Sequence, residues 1–477
     1  MPAKSRITLP TKIFYGTGSI ATGVKDTAFN VFLLFFYTQV VGLEGLLAGI
    51  AIFLALVVDA ITDPLVGYWS DKVHTRWGRR HPFIYASALP MGIAFYFLFQ
   101  PPFGADQTIL FLWMAGFAII VRIFMTFFAV PAAGLLAEMT SDYDERTSIS
   151  GFRVLLGWLG GIAFATAGYL VFLAPSESFP DGRLNPAGYQ DMALVGAIAI
   201  SIAIVLCALG THHMIPRLKE AFQLAGQSNG LKHDFSNLLQ NRPFLILFAI
   251  IFVSATAIGF NEVMNLYMLS YFWGLTTEQL ALITLAALVG TIIAFITIPW
   301  ISKRHDKRPV GIVTVAIVMV TNPAIIGLRL IDILPQNGDP ALLIILCLNA
   351  VISVFAAVGL TIIFTSMLAD TIDRNELATG QRQEAIYSSA LTFSLKATSG
   401  LGGLIAGAVL QLVSFPSGAE IGQVPSNTLT QLGAAVASMM LIFWLLALII
   451  LRLYPLSRKE HAQILTDIAA KRALSNI

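Results

Sequence analysis

The apolar positions of this chain neither alternate nor recur on one helical face; they run together. Val31 to Val41, Leu46 to Val58, Leu194 to Leu209 and Met439 to Leu451 are almost wholly apolar. Each sits inside a window near the roughly 20 residues that a bilayer span requires. Charged or Pro/Gly-containing breaks separate six such windows, near residues 14–42, 45–70, 82–101, 108–138, 150–174 and 191–213. After a polar stretch from His212 to Arg242 six more follow, near 243–272, 277–301, 309–331, 340–368, 383–413 and 427–453. The pattern predicts an all-α membrane protein with twelve transmembrane helices in two six-helix bundles. The N-terminal bundle covers 1–213, a cytoplasmic linker 214–242, the C-terminal bundle 243–455 and a cytoplasmic tail 456–477.

Charge gives these spans a direction. Lys72, Arg76, Arg79 and Arg80 follow the second span, Arg217, Lys219 and Lys232 the sixth, and Lys303, Arg304, Lys307 and Arg308 the eighth. The alternate loops hold little beyond Arg183 and Arg329. By the positive-inside bias the basic loops and both termini are expected in the cytoplasm, in a plasma membrane of the bacterial inner-membrane kind. The halves also echo each other six spans apart. Leu135-Leu136-Ala137-Glu138 leads to Asp144-Glu145-Arg146 after span 4, and Met367-Leu368-Ala369-Asp370 leads to Asp373-Arg374 after span 10. Two repeated bundles would place a substrate site between them near mid-membrane.

Composition removes other classes. Of 477 residues 56% are hydrophobic and 12% charged, against about 25% charged in a soluble domain. A net charge of +2 gives no basic groove for nucleic acid. Cys207 and Cys347 each lie in an apolar run, which speaks against a disulfide framework. The histidines His74, His81, His212, His213 and His233 fall in or beside basic loops, where solvation is the expectation, and no catalytic triad or metal spacing appears. An enzyme is not expected.

The sharpest polar feature is Asp59-Ala60-Ile61-Thr62-Asp63, because acids at i and i+4 share one helical face. Ionised acids in hydrocarbon are costly, so the pair should face a wet cavity and bind a cation or a proton, with Thr62 and Thr126 adding hydroxyls. A sodium ion, if that is the coupling ion, would use Asp59 and Asp63 as its metal ligands. Lys25, Asp26, Arg122, Arg153, Asn261, Glu262, Asn265 and Lys396 also interrupt apolar surroundings and could offer ion pairs or donors to a polar solute. Arg122 falls on one helical face with Thr126, Ala129 and Ala133, which makes an acidic solute plausible. Asp71 with Arg79 and Arg80 closes span 2 on its basic side.

Taken in order, Asp59-Ala-Ile-Thr-Asp63-Pro64, Arg76-Trp77-Gly78-Arg79-Arg80-His81-Pro82-Phe83, Asp144-Glu145-Arg146 and Asp370-Thr-Ile-Asp373 resemble the hallmark positions of the glycoside-pentoside-hexuronide:cation symporters of the major facilitator superfamily. The resemblance spans nearly the whole chain. It implies a symporter that carries a sugar, glycoside or related polar solute with H+ or Na+ by alternating access, with no other cofactor, set among membrane lipids and able to work as a monomer. It implies a coupling site at Asp59, Asp63 and Thr126, with Thr62 standing where the family carries an asparagine. Lys25, Asp26, Arg153, Thr392 and Lys396 match its sugar site, and Arg146 and the loop after span 2 match its gate. Ala129, Ala133, Thr361 and Leu391 depart from the family's sugar-contacting side chains. A carrier of an acidic solute or lysolipid-like amphiphile, an uncoupled facilitator or flippase, and a non-transporting receptor are the alternatives on the same scaffold.

Overall fold

The computed structural model describes residues 7–73, 75–140, 143–216, 241–379, 387 and 400–475. Leu391, Thr392 and Lys396 lie outside the described residues, as do the side chains of Asp144 and Arg146. A backbone in hydrocarbon has no water to bond, so apolar runs of this length close their hydrogen bonds within helices. These are α1 (Leu9–Val40), α2 (Gly45–Lys72), α3 (His81–Leu98), α4 (Gln107–Met139), α5 (Tyr143–Ala167, continued by Gly168–Phe172) and α6 (Pro186–His212). The second set is α7 (Arg242–Phe272), α8 (Thr277–Arg304), α9 (Lys307–Leu330), α10 (Pro340–Thr379), α11 (Gly400–Leu412) and α12 (Ser426–Arg452). A last helix, α13 (Arg458–Ser475), follows. Eleven helices are long and apolar enough to cross a membrane, and the described part of α11 is a shorter apolar helix. No strand occurs among the described residues.

Local chemistry sets the ends. Asp106 accepts from the Thr108 and Ile109 amides at 2.8 and 3.0 Å to start α4, and Thr276 with Gln279 forms a capping box at α8. The third span stops at Leu98 rather than 101, ahead of Pro101-Pro102, which cannot continue a helix. The tenth runs on to Thr379 rather than ending at 368, because its acids are held against basic groups described below. The tail is helical where apolar pattern alone showed nothing. Its start is a reciprocal cap, with the Ser457 amide donating to Glu460 Oε2 at 2.7 Å and the Glu460 amide to Ser457 Oγ at 3.3 Å.

Packing repeats with an offset of six. In the first bundle α1 lies on α5 and α6, α2 on α4, and α3 on α4 and α6. In the second α7 lies on α12, α8 on α10, and α9 on α10 and α12. The match to the first bundle's α1–α5 contact is α7 on α11, so close that a Cβ at Gly402 would fall 2.4 Å from the Gly259 and Phe260 backbone. The cores are mainly Phe, Leu, Ile, Met and Ala.

Among the described residues the bundles are joined by α1 with α7, α5 with α8, and α2 with α11. Their contacts gather at the end opposite the basic loops. There Thr38 Oγ bonds to Tyr267 Oη, Tyr271 Oη lies 3.0 Å from Gln39 Oε1 and 2.8 Å from the Ala419 carbonyl, and Arg183 Nη1 donates to Ser270 Oγ at 2.8 Å. π-helical turns at Ala28–Phe32, Phe36–Val40, Gly168–Phe172 and Met268–Phe272 fall on these same joining helices. Such turns often mark functional segments.

Candidate functional site: a carboxylate pair between the bundles

Asp59 and Asp63 stand one turn apart near the middle of α2, and α4 supplies the residues that face them. Thr126 Oγ lies 2.7 Å from Asp59 Oδ1 and 2.9 Å from Asp63 Oδ1, so a single hydroxyl bridges both acids. One turn earlier on α4, Arg122 Nη1 lies 3.4 Å from Asp59 Oδ2. Asp59 and Arg122 are each 4% exposed and Thr126 is fully buried. The Thr62 hydroxyl instead donates to the Asp59 carbonyl at 3.2 Å, within its own helix.

Two further charges approach from α1. Lys25 and Asp26 form an ion pair, with Asp26 half exposed. The Phe29 ring is flanked by two cations, Arg122 with its guanidinium carbon 5.4 Å from the centroid and Lys25 with Nζ at 5.9 Å. Asn30 Nδ2 donates to Glu262 Oε2 at 2.8 Å, which ties α1 to α7 across the bundles. Among the described residues Arg153 lies against Tyr15, 5.6 Å from the ring centroid, rather than with this group. Tyr15 is ten residues before Lys25, about 15 Å along the helix. A groove in the second bundle is lined by Ile251, Ser254, Ile258, Thr361, Phe364 and Thr365.

At the basic-loop end each bundle holds an acid against a base. Arg79 Nη2 and Arg80 Nε donate to Glu138 Oε1 at 2.6 and 3.1 Å, Arg80 Nη2 pairs with Asp71 at 2.6 Å, and Arg80 Nη1 donates to Ser70 Oγ at 2.7 Å. Six helices on, Lys307 at the start of α9 pairs with Asp370 on α10 at 2.7 Å. The sequence echo between Glu138 and Asp370 is thus a repeat of geometry, each acid bonding a base at the N-terminal end of the preceding helix. His461 of α13 adds contacts to Asp373 at 2.9 Å and Asp370 at 3.4 Å. His81, expected in a solvated loop, is buried, with Nε2 3.0 Å from Thr211 Oγ.

Sequence reasoning passed over Phe29, Asn30, Glu138, Lys307 and His461 as site residues. Phe29 and Asn30 stand four residues after Lys25 and Asp26, and that spacing would have placed them on the same face. His461 had no such signal, since only the fold brings the tail to α10.

The donor set at the pair is oxygen, the type a hard cation takes, and the Arg122 guanidinium stands beside it as a like charge, 3.4 Å from Asp59 Oδ2. Among the described residues no group of three or more His, Cys, Asp or Glu forms a metal site.

Two helical bundles meeting across a buried, charged centre define a membrane transporter rather than an enzyme. The chain belongs to the MFS/sugar transport protein family, whose model matches residues 14–458. It is 24% identical to the isoprimeverose transporter of Lactiplantibacillus pentosus, over 85% of this chain and 81% of that protein. It is 25% identical to a putative glycoside/cation symporter of Escherichia coli, over 98% and 96%, and 25% identical to a glucuronide carrier protein homolog of Escherichia coli, over 96% and 95%. Among solved structures its fold matches the xylose transporter XylE from E. coli in a partially occluded inward open conformation, with a TM-score of 0.61, 14% identity, and coverage of 94% of this chain and 98% of that one. It also matches nucleoside transporter NupG, with a TM-score of 0.61, 16% identity, and coverage of 94% and 97%.

Proposed function

We propose that this protein is a cation-coupled symporter that imports a sugar, glycoside or related polar organic solute across a bacterial inner membrane, with its basic loops and both termini in the cytoplasm. The observation that carries the coupling is the bridge at Thr126. A hydroxyl has one hydrogen to give, yet Thr126 Oγ is within hydrogen-bond distance of a carboxylate oxygen on each side. One contact is filled by the threonine donating. The other leaves two carboxylate oxygens converging on one hydroxyl, an arrangement that an added proton or cation would neutralise. The cluster is therefore built to hold one added positive charge, and gaining or losing it changes what binds α2 to α4.

The solute reading draws on the half-exposed Asp26 beside Lys25, on Glu262 from the other bundle, and on relatives named for isoprimeverose and glycosides. Alternating access is supported by the joints that, among the described residues, gather at the end opposite the basic loops. A thermal-shift screen of purified protein against sugars, hexuronates, sulfonates and lysolipids identifies the solute. Uptake of that solute into proteoliposomes under an inward proton gradient then tests coupling. Asp59→Asn and Asp63→Asn are expected to lose accumulation above the external concentration; accumulation by either variant at the parent level defeats the proposal.

A further inference from the structure

The coupling site contains a positive charge of its own. Arg122 is placed by α4 one helical turn before Thr126, so the face that supplies the bridging hydroxyl also supplies a guanidinium. Asp59 meets both groups, Oδ1 facing Thr126 and Oδ2 facing Arg122 Nη1 at 3.4 Å. The guanidinium is buried, and it rests against the Phe29 ring at 5.4 Å. Its Nε has no hydrogen-bond partner among the described residues. Arginine does not give up its proton in a protein, so this charge is permanent. Lys25, on the same ring, is already paired with Asp26.

An alkali-metal ion held where Asp59 Oδ1, Asp63 Oδ1 and Thr126 Oγ converge would lie beside the permanent charge of Arg122, 3.4 Å from the other oxygen of Asp59, and would meet that like charge in a low-dielectric site. We infer that Arg122 is a built-in cation that closes the carboxylate pair to sodium and lithium, and is thereby the residue that sets which cation this transporter can use. The inference rests on the reading of Asp59 and Asp63 as the coupling site. It gives Arg122 a role in ion selection in place of solute recognition.

The test is direct cation binding, which needs no knowledge of the solute. Thermal unfolding of the purified full chain is followed in NaCl, LiCl and choline chloride at equal ionic strength, for the parent, Arg122→Met, Arg122→Lys and Arg122→Met/Asp59→Asn. The parent and Arg122→Lys, which keep the charge, are expected to unfold at the same temperature in all three salts. Arg122→Met is expected to gain a saturable rise of a few degrees in sodium or lithium over choline, and the double variant to lose it. A sodium-specific rise in the parent equal to that in Arg122→Met overturns the inference, as does a monodisperse, folded Arg122→Met that ignores sodium and lithium. Should Arg122→Met fail to fold, the parent alone remains decisive, since saturable sodium stabilisation lost in Asp59→Asn overturns the inference. Such a result would leave Asp59 and Asp63 standing as a coupling site, whereas accumulation by Asp63→Asn at the parent level would defeat that site whatever sodium does.

Discussion

Thr126 carries more of the site than its size suggests, because two acids, Asp59 buried and Asp63 half-buried, share its one hydroxyl. Thr126→Val keeps the shape and removes the bridge. Leaving a buried acceptor short of a donor costs about 1–3 kcal/mol, so the variant is expected to unfold at lower temperature than the parent. Thermal unfolding of the purified parent and variant measures the loss. Glu262 is a different case, since its bond to Asn30 crosses the bundles. Glu262→Gln preserves the shape and loses the charge, and is expected to weaken binding of the identified solute while leaving the cation response of the pair in place. Calorimetric titration of the solute checks it.

Helices here approach one another through glycine, and the position of each glycine separates stability from movement. A Cβ at Gly23 would fall 2.0 Å from the Gly157 carbonyl oxygen, a contact between α1 and α5 within one bundle. A Cβ at Gly407 would fall 2.3 Å from the Gly45 carbonyl oxygen, a contact between α11 and α2 across the bundles. Overpacking costs about 1–3 kcal/mol. Gly23→Ala should take that cost as lost stability, seen as earlier thermal unfolding. Gly407→Ala should relieve it by parting the bundles, and so unfold near the parent temperature while changing the accessibility of α2. The tail belongs to this scale as well. His461 is its link to Asp370 and Asp373, and Lys471 Nζ donates to the Leu377 carbonyl at 2.8 Å. His461→Ala is expected to speed hydrogen exchange in 458–475 several-fold while α1–α6 exchange as before.

For the whole molecule, the joints around Thr38, Gln39, Tyr267 and Tyr271 hold one end shut. Gln39→Ala with Tyr271→Phe removes hydrogen bonds from both bundles at that end without touching the carboxylate pair. Ser270 is fully buried there and serves as the reporter. A Ser270→Cys side chain is expected to react several-fold faster with an impermeant maleimide, applied from the side opposite the basic loops, once those two substitutions are present. Unchanged labelling would show that the joint is held by packing of Phe35, Tyr267, Tyr271 and Phe415 rather than by the polar bonds.

The sequence by itself determined the class of protein and the outline of the site. Apolar runs near bilayer length leave the backbone no state but helix, and acids four residues apart in such a run must share a face, so the membrane helices, eleven of them of spanning length among the described residues, and the Asp59–Asp63 pair were readable from spacing. The echo of Glu138 and Asp370 likewise showed the repeat before any contact was known. What spacing along one helix does not contain is which other helix comes opposite. Only the tertiary structure turned Arg122 toward Asp59, set Thr126 between the two acids, sent the Thr62 hydroxyl back to its own backbone, and brought the polar tail to α10. The physical reason is that a buried charge is settled by its nearest partner in space, and those partners stand more than sixty residues away in the chain.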